Sequence, residues 1–252
     1  MQFTVLTLFP EILRAYFEQS IMAKAVAKGI ISYELVNIRD FANDVHHTCD
    51  DSPYGGGAGQ LMLAEPLGKA LDAVGAAKKK VIYVTPAGTP FSQKKAKAFS
   101  LENELVIIAG RYEGIDERIV DLYVDETISI GDYVLSSGEV AAEVIIDAVY
   151  RLIDGVISAE SLEEESYAEG LLEYPQYTRP QTYKGLEVPS VLLSGNHEAI
   201  RKWRLKKRVE KTICFRPDLL LQSREKNILS DEVEKIILEL TEQSSVKKNR
   251  RS

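Results

Sequence analysis

The stretch Leu105-Val106-Ile107-Ile108-Ala109-Gly110-Arg111-Tyr112-Glu113-Gly114-Ile115-Asp116-Glu117-Arg118 carries the reading of the fold. Its first part, Leu105 to Ala109, is an apolar run of strand length. Gly110 breaks that run, a segment dense in charge follows, and Gly114 permits a second sharp turn. Two readings fit the charged segment. It is a helix start whose acids complement the macrodipole, or a loop whose Glu113 accepts hydrogen bonds from a ligand.

The same punctuation recurs on both sides. Phe3 to Phe9 reads as a buried strand, and Pro10 suits the first helical turn, where its missing N–H is not needed. The helix that follows carries Ile12, Leu13, Tyr16, Phe17, Ile21 and Ala25 at helical spacing and stops near Gly29. Ile30 to Ile38 reads as a strand, Asp40 to Gln60 as a polar, glycine-rich loop and Leu63 to Val74 as a helix. Lys80 to Thr85 is a strand, Ser92 to Phe99 a short helix, Leu122 to Ile130 a strand and Val140 to Ile153 a helix. Such alternation predicts an α/β fold, a mostly parallel sheet covered on both faces. Ligand loops in such sheets lie at the carboxyl ends of the strands. Three turns follow predicted strands here: Thr85 to Gly88, Gly110 to Gly114, and Ile130 to Tyr133 running into Ser136 to Glu139.

Composition bounds the function. The 252 residues are 45% hydrophobic and 27% charged, which are globular proportions. No run reaches the roughly eighteen apolar residues that a membrane span needs. The start lacks a basic segment ahead of an apolar one, so no secretory signal is expected. Cys49 and Cys214 then read as free thiols, and the location as cytoplasmic. The net charge of -7 argues against a chain that binds nucleic acid through its overall charge. The charge is uneven, however. Glu160 to Glu173 holds six glutamates and no Lys or Arg, whereas Arg201 to Lys211 holds seven basic residues and one acid. A local anion-binding surface and a solvated helix face both fit the basic stretch.

These shifts predict a first domain over residues 1–158, a flexible linker over 159–170 and a small helical domain over 171–252. In the last, Asn196 to Lys211 and Asp231 to Leu240 read as helices, with Asn196 as a cap, and Tyr174 to Pro189 reads as extended.

The glycine cluster Gly55 to Gly59 is not a P-loop, since no Gly-Lys-Ser/Thr follows. His46, His47, Cys49, Asp50 and Asp51 lack the spacing by which neighbours share one metal ion, so a polar loop near a substrate is expected instead. Ser136-Ser137-Gly138 is not a nucleophile elbow, which leaves acyl transfer unsupported. Carboxylates, an arginine and glycine-rich turns remain. They suit binding a small charged cofactor and taking one proton.

Several segments together resemble the bacterial tRNA (guanine-N1)-methyltransferases of the SPOUT class. They are Thr7 to Pro10, Asn37 to Phe41, Asp50 to Gly57, Gly110 to Arg118, Ser129 to Ser136, Tyr177 to Pro180, and Val188 through His197 to Arg204, in order along the chain. The resemblance implies a SPOUT-type sheet with a deep trefoil knot and a small all-helical C-terminal domain. It implies methyl transfer from S-adenosylmethionine to N1 of guanosine 37, next to the anticodon of tRNA. It also implies a homodimer with the active site at the subunit interface. The cofactor residues carried over are Tyr83, Thr85, Pro86, Gly110, Tyr112, Glu113, Gly114, Ile130, Gly131, Tyr133, Leu135 and Gly138. The family's catalytic arginine aligns with Arg151 and its catalytic aspartate with Glu165, a carboxylate one methylene longer. Ser137, Ser52 and Ala58 stand where the family has glycine, arginine and proline. The family is also linked to Mg2+, for which no motif here supplies a site. Two other readings fit the sequence: a SPOUT-like RNA-binding protein that has lost catalysis, and a nucleotide-binding α/β enzyme using the glycine cluster for phosphate.

Overall fold

The computed structural model describes residues 1–158, 166–167 and 170–249. The chain divides into two compact units, Met1–Ser158 and Ala159–Ser252.

In the first unit, β1 (Gln2–Thr7), β2 (Ser32–Asn37), β5 (Lys80–Pro90), β6 (Glu104–Ala109) and β7 (Glu126–Ser129) form one sheet in the order β2-β1-β6-β5-β7. All neighbouring pairs are parallel. Two short strands, β3 (Asp50–Asp51) and β4 (Leu61–Met62), pair antiparallel beside it. Side chains alternate across the sheet, so each strand feeds two cores. Phe3, Val5, Ile82, Leu105 and Ile107 point to one face. They meet α1 (Pro10–Phe17), α2 (Ser20–Ala27), α4 (Gln93–Phe99) and α6 (Gly138–Tyr150) there. Leu6, Val81, Val106 and Ile108 point to the other face, against α3 (Ala64–Ala73) and α5 (Glu117–Tyr123). These runs are apolar on both sides because both faces are covered.

Three expectations change. The helix expected from Pro10 to Gly29 is two helices, broken at Gln19, which is extended (φ −121°, ψ 155°). The buried residues explain the break. Phe17 and Met22 are five positions apart, which on one continuous helix would put them about 140° apart, so they could not face one core together. The run Leu122 to Ile130 is not one strand. Leu122 and Tyr123 end α5, and Tyr123 is held there by its hydroxyl, which donates to Asp72 at 2.8 Å. The turn Thr85 to Gly88 does not end its strand. Val84 and Thr89 both pair with Ile128, so residues 85–88 bulge out between them.

In the second unit, α7 (His197–Phe215) starts at Asn196, whose side chain accepts from Ala199 N–H at 3.1 Å. It packs with α8 (Pro217–Glu225) and α9 (Asp231–Asn249) around Leu171, Val209, Leu220, Val233 and Ile237. The helix α8 was not foreseen. The expectation of an all-helical domain is corrected as well. Strands β8 (Thr182–Tyr183) and β9 (Leu186–Glu187) form a hairpin through Lys184 and Gly185, both at positive φ as a tight two-residue turn requires. Most of the expected linker, residues 159–165 and 168–169, lies outside the described residues, and Glu165 with it.

Ile128→Ala should cost about 3 kcal/mol in urea unfolding, because it empties a fully buried site on β7. Leu122→Ala, on the exposed end of α5, should stay within about 0.5 kcal/mol. Equal costs would return Leu122 to a core strand.

Candidate active site

The carboxyl ends of β5, β6 and β7 and the start of α6 enclose a cavity of about 230 Å³. Its walls are the bulge after Tyr83, the turn Gly110–Gly114 and the segment Ile128–Gly138, closed by Ala141. Every position to which cofactor binding was carried over lies on these walls, from Tyr83, Thr85 and Pro86 to Leu135 and Gly138. Arg111 lines it too and belongs to the second of the three turns read from the sequence. Val84, Ile128, Ser129 and Ala141 line it from outside those turns. Val84 and Ser129 were legible as neighbours of the expected residues. Ile128 and Ala141 carry no signal beyond being apolar.

Glycine lets these turns close on one another. The N–H of Gly138 donates to the carbonyl of Gly110 at 2.9 Å. A Cβ at Gly138 would lie 2.6 Å from the Gly110 nitrogen, so backbone meets backbone with no room for a side chain. A Cβ at Gly110 would meet the Tyr83 ring at 2.8 Å. Tyr83 is buried below the turn, and burial pushes its phenol up, offset in part by hydrogen bonds with Thr85 and the Ile115 backbone. The cavity is therefore bare of side chains at Gly110, Gly114, Gly131 and Gly138, and is bordered by Tyr83, Tyr112, Tyr133 and Leu135. Such walls offer donors and acceptors to the edge of a flat heteroaromatic ring and apolar surface to its faces.

The Gly110–Gly114 turn is anchored from outside as well. Tyr112 sits at φ 59°, and its hydroxyl engages Asp50 and Arg39; burial and the Asp50 carboxylate push its phenol up. Glu113 N–H donates to Gln60 O at 3.0 Å, and the Glu113 side chain lies over Gly59, where a Cβ would come within 2.3 Å of it. The glycine cluster thus makes room for Glu113, and residues 55–59 do not line the cavity. In the histidine-containing loop, Asp44 accepts from the backbone of His46 and Thr48, and the Cys49 carbonyl accepts from Leu63 N–H. These contacts fold the loop on itself.

Arg151 does not join the cavity. It caps the carboxyl end of α6, and this 13-residue helix holds it about 20 Å from Gly138.

The basic stretch lies on α7, where acids balance part of it. Arg201 pairs with Glu198 and Glu232, Lys202 with Glu198, and Lys207 with Glu210. Hydrogen bonds from Arg201 and Lys202 hold the Glu198 carboxyl down to about 2. Arg208 is buried, while Lys206 and Lys211 are exposed.

The family model described as tRNA (Guanine-1)-methyltransferase TrmD matches residues 1–222. The chain belongs to this tRNA (guanine-1)-methyltransferase family. It is similar to the tRNA (guanine-N(1)-)-methyltransferase of Treponema denticola, 67% identical over 239 residues, which cover 95% of this chain and 98% of that protein. The protein of the same name from Treponema pallidum is 58% identical over 240 residues, covering 95% and 96%. That of Borrelia turicatae is 60% identical over 224 residues, covering 88% and 94%. The match to the family model therefore takes in all three turns of the cavity and the whole of α7.

Gly138→Ala should lower stability by about 1–3 kcal/mol, since its methyl group must push the Gly110 turn aside. Ser137→Ala, at a helix start where the serine makes no capping hydrogen bond, should stay within about 0.5 kcal/mol. Thermal melting of both variants checks the contrast.

Proposed function

We infer that this chain is a tRNA methyltransferase acting on N1 of guanine, and further that the guanosine is number 37 and the methyl donor S-adenosylmethionine. The cavity carries the reading. The bulge of β5 and the turns after β6 and β7 converge without side chains at Gly110 and Gly138, inside a chain belonging to the tRNA (guanine-1)-methyltransferase family. Its peptide-lined walls fit an adenine edge, and its tyrosine and leucine rims fit the faces of that ring. Bound there, S-adenosylmethionine would supply a methyl group activated by a positively charged sulfur.

The remaining chemistry falls to the chain's own side chains. Guanine N1 carries a proton, and its lone pair is drawn into the ring, so it attacks only once that proton is removed. We assign the proton to the carboxylate of Glu165. Negative charge then builds on O6, where the guanidinium of Arg151 donates hydrogen bonds. The base must leave its stack to reach such a pocket, as other base-modifying enzymes require. The Asp50 to Gly59 loop and the exposed lysines of α7 are candidates for the RNA contacts.

The place of Arg151 supports a homodimer. At the far end of α6 it stands about 20 Å from Gly138, a distance that favours its delivery to the cavity by a second copy. Phe9, just before α1, Ile12 on α1, and Val140 and Val144 on α6 are exposed and offer apolar surface for that copy. The deep trefoil knot belongs to the same reading. What supports it is that segments remote in sequence meet at one end of the sheet, where Phe91 N–H donates to Ser129 O at 2.7 Å and Gly138 N–H to Gly110 O at 2.9 Å. Among the described residues no helix is long and apolar enough to cross a membrane.

Transcripts with guanosine at position 37 should gain a methyl group at N1, and transcripts with adenosine there should not; equal labelling would end the assignment. Glu165→Ala should lose the single-turnover rate while still binding the donor. Arg151→Ala and Gly110→Ala should each be inactive as homodimers, whereas mixing and re-forming dimers from both should restore methylation through one intact site. No recovery on mixing would put Arg151 back in its own subunit's site.

A further inference from the structure

Glu139 is fully buried, and the reaction above makes no use of it. It stands in the first turn of α6, next to Gly138 on the cavity wall. Both of its oxygens are engaged. Oε1 accepts from Thr7 Oγ1 at 2.6 Å, and Oε2 accepts from Arg111 Nε at 3.0 Å. Thr7 ends β1, and its hydroxyl oxygen also accepts from Phe9 N–H at 2.9 Å. Arg111 lies on the turn after β6, with its guanidinium carbon 4.4 Å from the centre of the Phe9 ring. One carboxylate therefore ties together the end of β1, the Gly110–Gly114 turn and the segment that leads into α6.

Burying a carboxylate is costly unless an opposite charge and hydrogen bonds compensate it. An apolar residue would fill the start of α6 without that cost. The charge is specific to what it holds, and of its two partners, Thr7 and Arg111, the second is a cavity wall. The guanidinium is held by Glu139 at 3.0 Å and by the Phe9 ring, which ties the Gly110–Tyr112 backbone to the start of α6 beside the Gly138 to Gly110 hydrogen bond.

We propose that Glu139 and Arg111 are positioning residues, anchored by Thr7, that hold the two cavity turns in the geometry that binds the cofactor. The proposal rests on the reading of the cavity as the S-adenosylmethionine site. Without the tie, only a fraction of molecules holds the binding geometry, and apparent affinity falls by that fraction.

The test is calorimetric titration of S-adenosylmethionine into the full-length protein and its Arg111→Lys, Glu139→Gln and Thr7→Val variants, with the KM for tRNA and the melting temperature of each. Each single change should weaken cofactor binding about tenfold, and the Arg111→Lys/Glu139→Gln pair should do no worse than either alone, since both break one tie. The KM for tRNA should stay unchanged. Should Glu139→Gln not fold, Arg111→Lys and Thr7→Val carry the comparison. Lowered melting temperature with unaltered affinity would make the tie merely structural and overturn the proposal. Weakened binding in Arg111→Lys alone would do the same, since Arg111 would then touch the ligand directly. An unaltered protein that binds no S-adenosylmethionine would overturn the cofactor reading first, and this inference with it.

Discussion

Backbone contact between Gly110 and Gly138 is the constraint on which the site depends. Peptide groups can approach this closely only where no Cβ stands between them. The 2.9 Å hydrogen bond from Gly138 N–H to Gly110 O joins the turn after β6 to the start of α6. The bulge of β5 completes the enclosure, with Gly88 passing so close to Ile128 that a Cβ would lie 2.4 Å from its nitrogen. The cavity follows from three loops that could not meet if they carried side chains at these positions.

The sheet makes that meeting possible. Parallel strands deliver all their carboxyl ends to one edge, and a sheet buried on both faces has little freedom to shift them. Ile82, Leu105 and Ile107 lock one face, and Val81, Val106 and Ile108 the other. Turns at the ends of such strands start from fixed points, and Arg111, Tyr112 and Glu113 then hold the Gly110–Gly114 turn to its surroundings. This is how a segment as rich in glycine and charge as Gly110 to Arg118 can have a defined shape.

Charge in this protein is local, and folding redistributes it. Read along the chain, Arg201 to Lys211 is a run of cations. On α7 three of them face acids from the same helix or from α9, and a fourth is buried. The cationic surface left on α7 is smaller than the sequence count implies. Glu139 shows the reverse. It reads as an ordinary acid in a helix start, and burial makes it a junction between remote segments.

The order of residues by itself determined the α/β alternation, the carboxyl-end position of the turns after β6 and β7 and the motifs shared with the methyltransferase family. Apolar periodicity and glycine placement are local properties, so a linear reading captures them. Tertiary structure alone decided the rest. The break at Gln19 depends on which core Phe17 and Met22 must share, and the helical end at Tyr123 on an Asp72 far away in sequence. The bulge in β5 requires Ile128 on the neighbouring strand, and the helix α8 follows an α7 that runs past the end expected for it. The distance of Arg151 from Gly138 follows from the length of α6, whereas the cavity at the Gly138 end follows from loops that only the tertiary fold brings together. Long-range partners set each of these features, and no local pattern encodes which distant residue a side chain will meet.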